Sequence, residues 1–131
     1  MIKTIDHIGI MTNTLQQSVE FYTDVLGFSI SRKIEMDEFS AVFIEKGGSI
    51  IELMGFKEFS KRPEGIELKI GSIPLNDHIS FSVDDIETTA TEFKEKGVVF
   101  DLEPIQLEGG TKLASFKDPN GVLIELIEHP Q

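Results

Sequence analysis

The chain has 131 residues, 40% hydrophobic and 27% charged, with 12 Lys and Arg against 23 Asp and Glu, a formal net charge of −11, and no cysteine. That length suits one compact domain with a fair core, while the acid excess denies it the broad basic surface that a phosphate backbone requires, so no nucleic-acid partner is expected. Without cysteine there are no disulfides, thiolate nucleophiles or Cys-type zinc sites, and any metal must rest on His, Asp or Glu.

No apolar run approaches the ~20 residues that span a bilayer, so no membrane partner is expected. The start shows neither a basic leader nor an apolar signal core, and the expected location is cytoplasmic.

In chain order, Ile2 to Met11 reads as a strand, with His7 sharing a face with Ile5, Gly9 and Met11. Thr14 with Gln17 has the spacing of a capping box. The apolar stripe Leu15, Val19, Tyr22 and Leu26 predicts a helix that Gly27 ends. Phe28 to Glu35, Ala41 to Lys46 and Ser49 to Gly55 read as three strands, the last two joined by a tight turn at Gly47-Gly48. In the last of them Glu52 shares a face with Ile50 and Met54. A lone acid there needs a reason, because burying an unpaired carboxylate is costly.

Residues 57–76 carry the weakest pattern and read as a connection, with a short strand near Glu67 to Ile70. The pattern then repeats. His78, Ser80 and Ser82 alternate with Ile79, Phe81 and Val83, which predicts a strand with one polar face. Asp84-Asp85-Ile86-Glu87 caps a helix with Ile86, Ala90 and Phe93 inward and Gly97 at its end. Val98 to Leu102, Leu113 to Lys117 and Val122 to Glu128 complete the strands, with Asp118-Pro119-Asn120-Gly121 as a turn. Glu128 reads as a surface acid and His129 as an uninvolved tail residue. Each half is strand–helix–strand–strand–strand, so the expected fold is α+β. It has one domain of two modules, about 1–56 and 77–128, joined at about 57–76.

The halves also match in chemistry. Asp6-His7-Ile8-Gly9-Ile10 is answered by Ile51-Glu52-Leu53, and Asp77-His78-Ile79-Ser80-Phe81 by Ile124-Glu125-Leu126. His7 and Glu52 lie 45 positions apart, and His78 and Glu125 lie 47 apart. One strand histidine alone is more often structural than a ligand. Two in matching places, each with its carboxylate, make a metal site with N and O ligands if they converge.

These segments resemble the vicinal oxygen chelate superfamily, the group of glyoxalase I, bleomycin-resistance proteins and extradiol dioxygenases. So do the helix Ser18-Val19-Glu20-Phe21-Tyr22-Thr23-Asp24-Val25-Leu26-Gly27-Phe28 and the stretch Phe116-Lys117-Asp118-Pro119-Asn120-Gly121-Val122-Leu123. The resemblance covers essentially the whole chain and is nearest to glyoxalase I-like (lactoylglutathione lyase-like) members. It implies paired βαβββ modules whose mixed sheets curl into a cup around one divalent metal. His7, Glu52, His78 and Glu125 match the ligand positions, and Ni2+ or Zn2+ is favoured over Co2+ or Mn2+. It implies a lyase or isomerase that moves a proton next to a carbonyl through a metal-bound enediolate, with Glu125, or else Glu52, as the base. Met11, Met54 and Phe56 are the candidate substrate contacts. A small-molecule substrate and a homodimer are the expected partners.

The sequence departs from bacterial glyoxalase I at three places that bind the glutathione tripeptide there. Met11 stands where an Arg is usual, Phe56 where an Asn is, and Glu108 where a Lys is. Apolar and acidic groups do not pair a carboxylate, so the metal chemistry is better supported than glutathione. The alternatives are a methylmalonyl-CoA epimerase-like enzyme and a non-catalytic binding or resistance protein of the same fold.

Overall fold

The computed structural model describes residues 1, 3–56, 69–70, 72–74 and 78–131. The chain divides into two compact units, Met1–Pro63 and Glu64–Gln131.

The first unit runs β1 (Ile8–Met11), α1 (Leu15–Glu20), a π-type turn (Phe21–Val25), β2 (Ser29–Glu35), β3 (Phe39–Lys46) and β4 (Ser49–Phe56). Its sheet has the order β1-β4-β3-β2, with β1 parallel to β4 and the other pairs antiparallel. The second unit repeats this with β7 (His78–Ser82), α2 (Ile86–Glu95), β8 (Phe100–Gln106), β9 (Lys112–Lys117) and β10 (Leu123–Glu128), in the order β7-β10-β9-β8. There β7 is parallel to β10, which is antiparallel to β9. A two-residue pair, β5 (Lys69–Ile70) and β6 (Ile73–Pro74), precedes it. The α+β fold of two βαβββ modules is the one expected.

Alternation along the central strands decides which face each helix covers. In β4, Ile51 and Leu53 are buried, while Ile50, Glu52 and Met54 are only partly so. In β10, Ile124 and Leu126 are buried and Glu125 is part-exposed. Tyr22 and Phe116 are fully buried. Tyr22 meets Phe28 edge-on, and Phe116 meets Phe93 and Phe100 the same way. Each such side chain contributes roughly 1.5–3 kcal/mol by leaving water.

Several boundaries differ from expectation. The first strand begins at Ile8, where its parallel pairing with Ile51 starts. Described residues upstream of it, His7 included, are exposed. Thr14 occupies the cap position of α1, but its side chain makes no capping bond. The helical stripe relaxes into the wide turn after Glu20, where Leu26 N–H reaches Phe21 O at 3.2 Å and the Thr23 hydroxyl donates to Val19 O at 2.8 Å. That turn still buries Tyr22 and Leu26. Strand β8 starts later than expected and runs to Gln106, with irregular pairing between Leu102 and Ile105 around Pro104, which lacks a ladder donor. Of the short strand expected near Glu67 to Ile70, Glu67 lies outside the described residues.

Candidate metal centre

In the first unit Gly9 and Glu52 are partners across the parallel β1–β4 ladder, and His7 shares a face with Gly9 just before β1. The pairing brings His7 Nε2 to 3.6 Å from Glu52 Oε1. The other ring nitrogen, Nδ1, is 2.8 Å from Asp6 Oδ2. A carboxylate only accepts, so Nδ1 carries the hydrogen and donates it. In neutral His7 the Nε2 lone pair then faces the anionic Glu52 oxygen. Two acceptors face each other at a distance too long for a hydrogen bond, and a metal ion between them satisfies both. Phe43, the partner of Glu52 in β3, sets its ring edge-on to His7 with centroids 5.5 Å apart. Arg32 lies over the Phe43 ring at 5.7 Å.

The second unit builds the same pair. His78 opens β7, and Ser80, two residues on and on the same face, is the ladder partner of Glu125. His78 Nε2 is 3.9 Å from Glu125 Oε2. The other carboxylate oxygen, Oε1, accepts the Ser80 hydroxyl at 2.8 Å. On the opposite side Ser115 of β9 pairs with Glu125. Its Oγ is buried and has no hydrogen-bond partner among the described residues.

The donor set fits a divalent ion. Metal–ligand bonds to His N and carboxylate O are about 2.0–2.2 Å, so one ion can span each His–Glu pair at the separations found. Imidazole and carboxylate together suit Zn, Ni, Co and Mn.

Met11 and Met54 are partners two steps beyond Gly9 and Glu52, on the same face. Met54 lies over Gly9, where a β-carbon would come 3.1 Å from its Cε. Phe56 packs on Phe39 with ring centroids 5.1 Å apart. His129 is exposed.

A different acidic cluster lies at the start of α2. Carboxylate oxygens of Asp85, Glu87 and Glu128 fall within 4.8 Å of one another. Local partners account for it. Asp85 accepts from Thr88 N–H at 3.1 Å, Glu128 from Ile86 N–H at 2.9 Å, and Lys112 stands 3.4 Å from Glu87 and 3.7 Å from Glu128. The Thr88 N–H, first among several causes, holds the Asp85 carboxyl below its ordinary value. The Glu128 charge, first, holds the Lys112 ammonium above its own. Glu128 is therefore a helix cap and not a free surface acid.

Sequence reasoning missed Asp6, Ser80 and Ser115 as neighbours of the candidate ligands. A signal existed for two of them. Asp6 adjoins His7, and Ser80 follows His78 by two on the polar face. Ser115 needed the strand register.

The chain matches the family model described as Glyoxalase/Bleomycin resistance protein/Dioxygenase superfamily over residues 4–126. It is 35% identical to a protein named probable lactoylglutathione lyase from Vibrio cholerae, over 95% of this chain and 90% of that one. In fold it is similar to a solved mutant of glyoxalase I from Zea mays, with a TM-score of 0.80 and 24% identity over 96% of this chain and 44% of that one. It is also similar in fold to TnmS3, an antibiotic binding protein from Streptomyces, with a TM-score of 0.72 and 18% identity over 98% of both. Among the described residues no helix is long and apolar enough to cross a membrane.

Proposed function

We propose that this chain, which belongs to the glyoxalase/bleomycin resistance protein/dioxygenase superfamily, is a divalent-metal-dependent, glyoxalase I-like lyase or isomerase. In this reading it moves a proton between two carbons, one of them a carbonyl carbon. The observation that carries the reading is the recurrence of one pair in both units. A half-exposed His Nε2 faces a largely buried Glu oxygen, at 3.6 Å in one unit and 3.9 Å in the other.

His7, Glu52, His78 and Glu125 are the proposed ligands of one divalent ion, with Ni2+ or Zn2+ favoured and Co2+ or Mn2+ tolerated by the same donors. When bound, the ion supplies Lewis-acid stabilisation of negative charge on the substrate oxygens. The rest falls to the protein. One of the two glutamates takes the proton from the carbon beside the carbonyl and returns it to the neighbouring carbon. Asp6 keeps the His7 lone pair on Nε2. Met11 and Met54 offer an apolar wall beside Glu52. Phe56 is a further proposed substrate contact.

Met11, Phe56 and Glu108 do not suit a peptide carboxylate, so the proposal concerns a small carbonyl compound and leaves glutathione out. The protein is proposed to be cytoplasmic and to act as a homodimer, as the resemblance implies.

The test uses hemithioacetals formed from an α-ketoaldehyde and small thiols. Rearrangement to the α-hydroxy thioester by the metal-loaded protein, lost in the His7→Ala and His78→Ala variants, supports the reading. Tight binding of these compounds with metal present and no rearrangement overturns it in favour of a binding protein.

A further inference from the structure

The two His–Glu pairs are alike in spacing and unlike in what surrounds the glutamate. Glu125 sits between two hydroxyls. Its ladder partner on β7 is Ser80, which donates to Oε1 at 2.8 Å. Its ladder partner on β9 is Ser115, whose buried Oγ has no partner among the described residues. With Oε1 tied to Ser80, Oε2 is left toward His78. Glu52 occupies the same place in the first unit, and both its partners are apolar: Gly9 on β1 and Phe43 on β3. Beyond the strands, Met54 Cε reaches over Gly9. Among the described residues no hydroxyl or N–H donates to the Glu52 side chain, which faces His7 Nε2 at 3.6 Å.

A charge-assisted hydrogen bond is roughly twice as strong as a neutral one and restrains the carboxylate that accepts it. A carboxylate between Gly, Phe and Met has no such tether.

We propose that Ser80 is a positioning residue that locks Glu125 in place, so that the two glutamates divide the work: Glu125 stays as the fixed ligand and Glu52 carries the proton. This rests on the metal reading above and deepens it. Sequence alone favours Glu125 as the base; the proposal takes Glu52 instead, on the strength of the Ser80 hydroxyl bound to Glu125. In the proton step the substrate C–H bond breaks, its electron pair forms a double bond to the carbonyl carbon, the C=O π pair moves onto the carbonyl oxygen, and the proton goes to a Glu52 oxygen. The same proton is then delivered to the former carbonyl carbon, while the hydroxyl on the first carbon becomes a carbonyl and its proton passes to the neighbouring oxygen; one carbon is oxidised as the other is reduced, and no external oxidant, reductant or co-reactant is needed.

The test is Zn2+ affinity by competition with a chromophoric chelator, which requires no substrate. Ser80→Ala is expected to weaken binding about tenfold, as removal of an outer partner of a ligand does, and Ser80→Thr, which keeps the hydroxyl, is expected to restore it. Glu125→Gln is expected to cost more affinity than Glu52→Gln. Ser80 is exposed, so thermal melting of the metal-free Ser80 variants should match the parent. Unchanged affinity in Ser80→Ala, or a larger loss in Glu52→Gln than in Glu125→Gln, overturns the division while leaving the metal site intact. Failure of the parent protein to bind Zn2+ overturns the metal reading itself.

Discussion

Glu128, the last residue of β10, accepts the backbone N–H of Ile86, the first residue of α2, at 2.9 Å. The bond satisfies one of the orphan donors at a helix start and sets a negative charge at its positive end. It holds the helix against the strand that also carries Glu125. Glu128→Ala should destabilise the protein by about 1 kcal/mol, the usual cost of losing a cap, while Glu128→Gln, which keeps an acceptor, should recover part of it. Urea unfolding of both variants measures the difference.

Asp85 caps the same helix through Thr88 N–H, which, as the largest cause, holds its folded pKa below the ordinary 3.8. A depressed carboxylate contributes stability that is present above the unfolded value and is lost as pH falls through the folded one. The advantage of the parent over Asp85→Asn should therefore be constant from about pH 6 down to the ordinary carboxylate range and be lost as the pH falls through the lowered folded value. Melting temperatures of the two proteins across that range check it. An advantage that persists in acid would mean that the charge at Asp85 contributes nothing.

Phe116 is fully buried, with Phe93 and Phe100 set edge-on around it. Phe116→Ala should cost about 3–5 kcal/mol through lost burial and the cavity it leaves. Phe116→Leu should cost much less. Chemical denaturation of both variants reads the cost directly.

Asp6 fixes the tautomer of His7 from an almost fully exposed position. Asp6→Ala should weaken Zn2+ binding about tenfold, at the low end for an outer partner because water competes for the ring N–H. The isosteric Asp6→Asn, whose amide oxygen still accepts, should lie between. Chelator competition distinguishes them, and equal affinity in all three proteins would remove Asp6 from the site.

Much of the architecture is readable in the sequence because its signals are local or periodic. The alternation His78-Ile79-Ser80-Phe81 gives a strand with a polar face, Asp84-Asp85-Ile86-Glu87 gives a helix start, and the recurrence of Asp-His and Ile-Glu-Leu gives the two modules. The candidate pairs follow from that recurrence. What the sequence hides is set by partners distant along the chain. His7 lies outside β1 because the pairing with Ile51 begins one residue later. The wide turn at Phe21–Val25 keeps Tyr22 and Leu26 buried where ideal helical spacing was expected. Glu128 looks like a surface acid until α2 is folded back onto β10. The contrast between Gly9 and Ser80 acquires meaning only when the registers place each beside its own glutamate.

His7, Glu52, His78 and Glu125 are the proposed ligands of one divalent ion. Elemental analysis of the protein purified without chelators or an affinity metal, beside the His7→Ala variant, tests this assignment most directly. About one divalent metal ion per proposed four-ligand set is expected in the parent, with Ni2+ or Zn2+ leading and the metal lost in the variant. A parent protein without metal that also takes up none when Ni2+ or Zn2+ is supplied would contradict it.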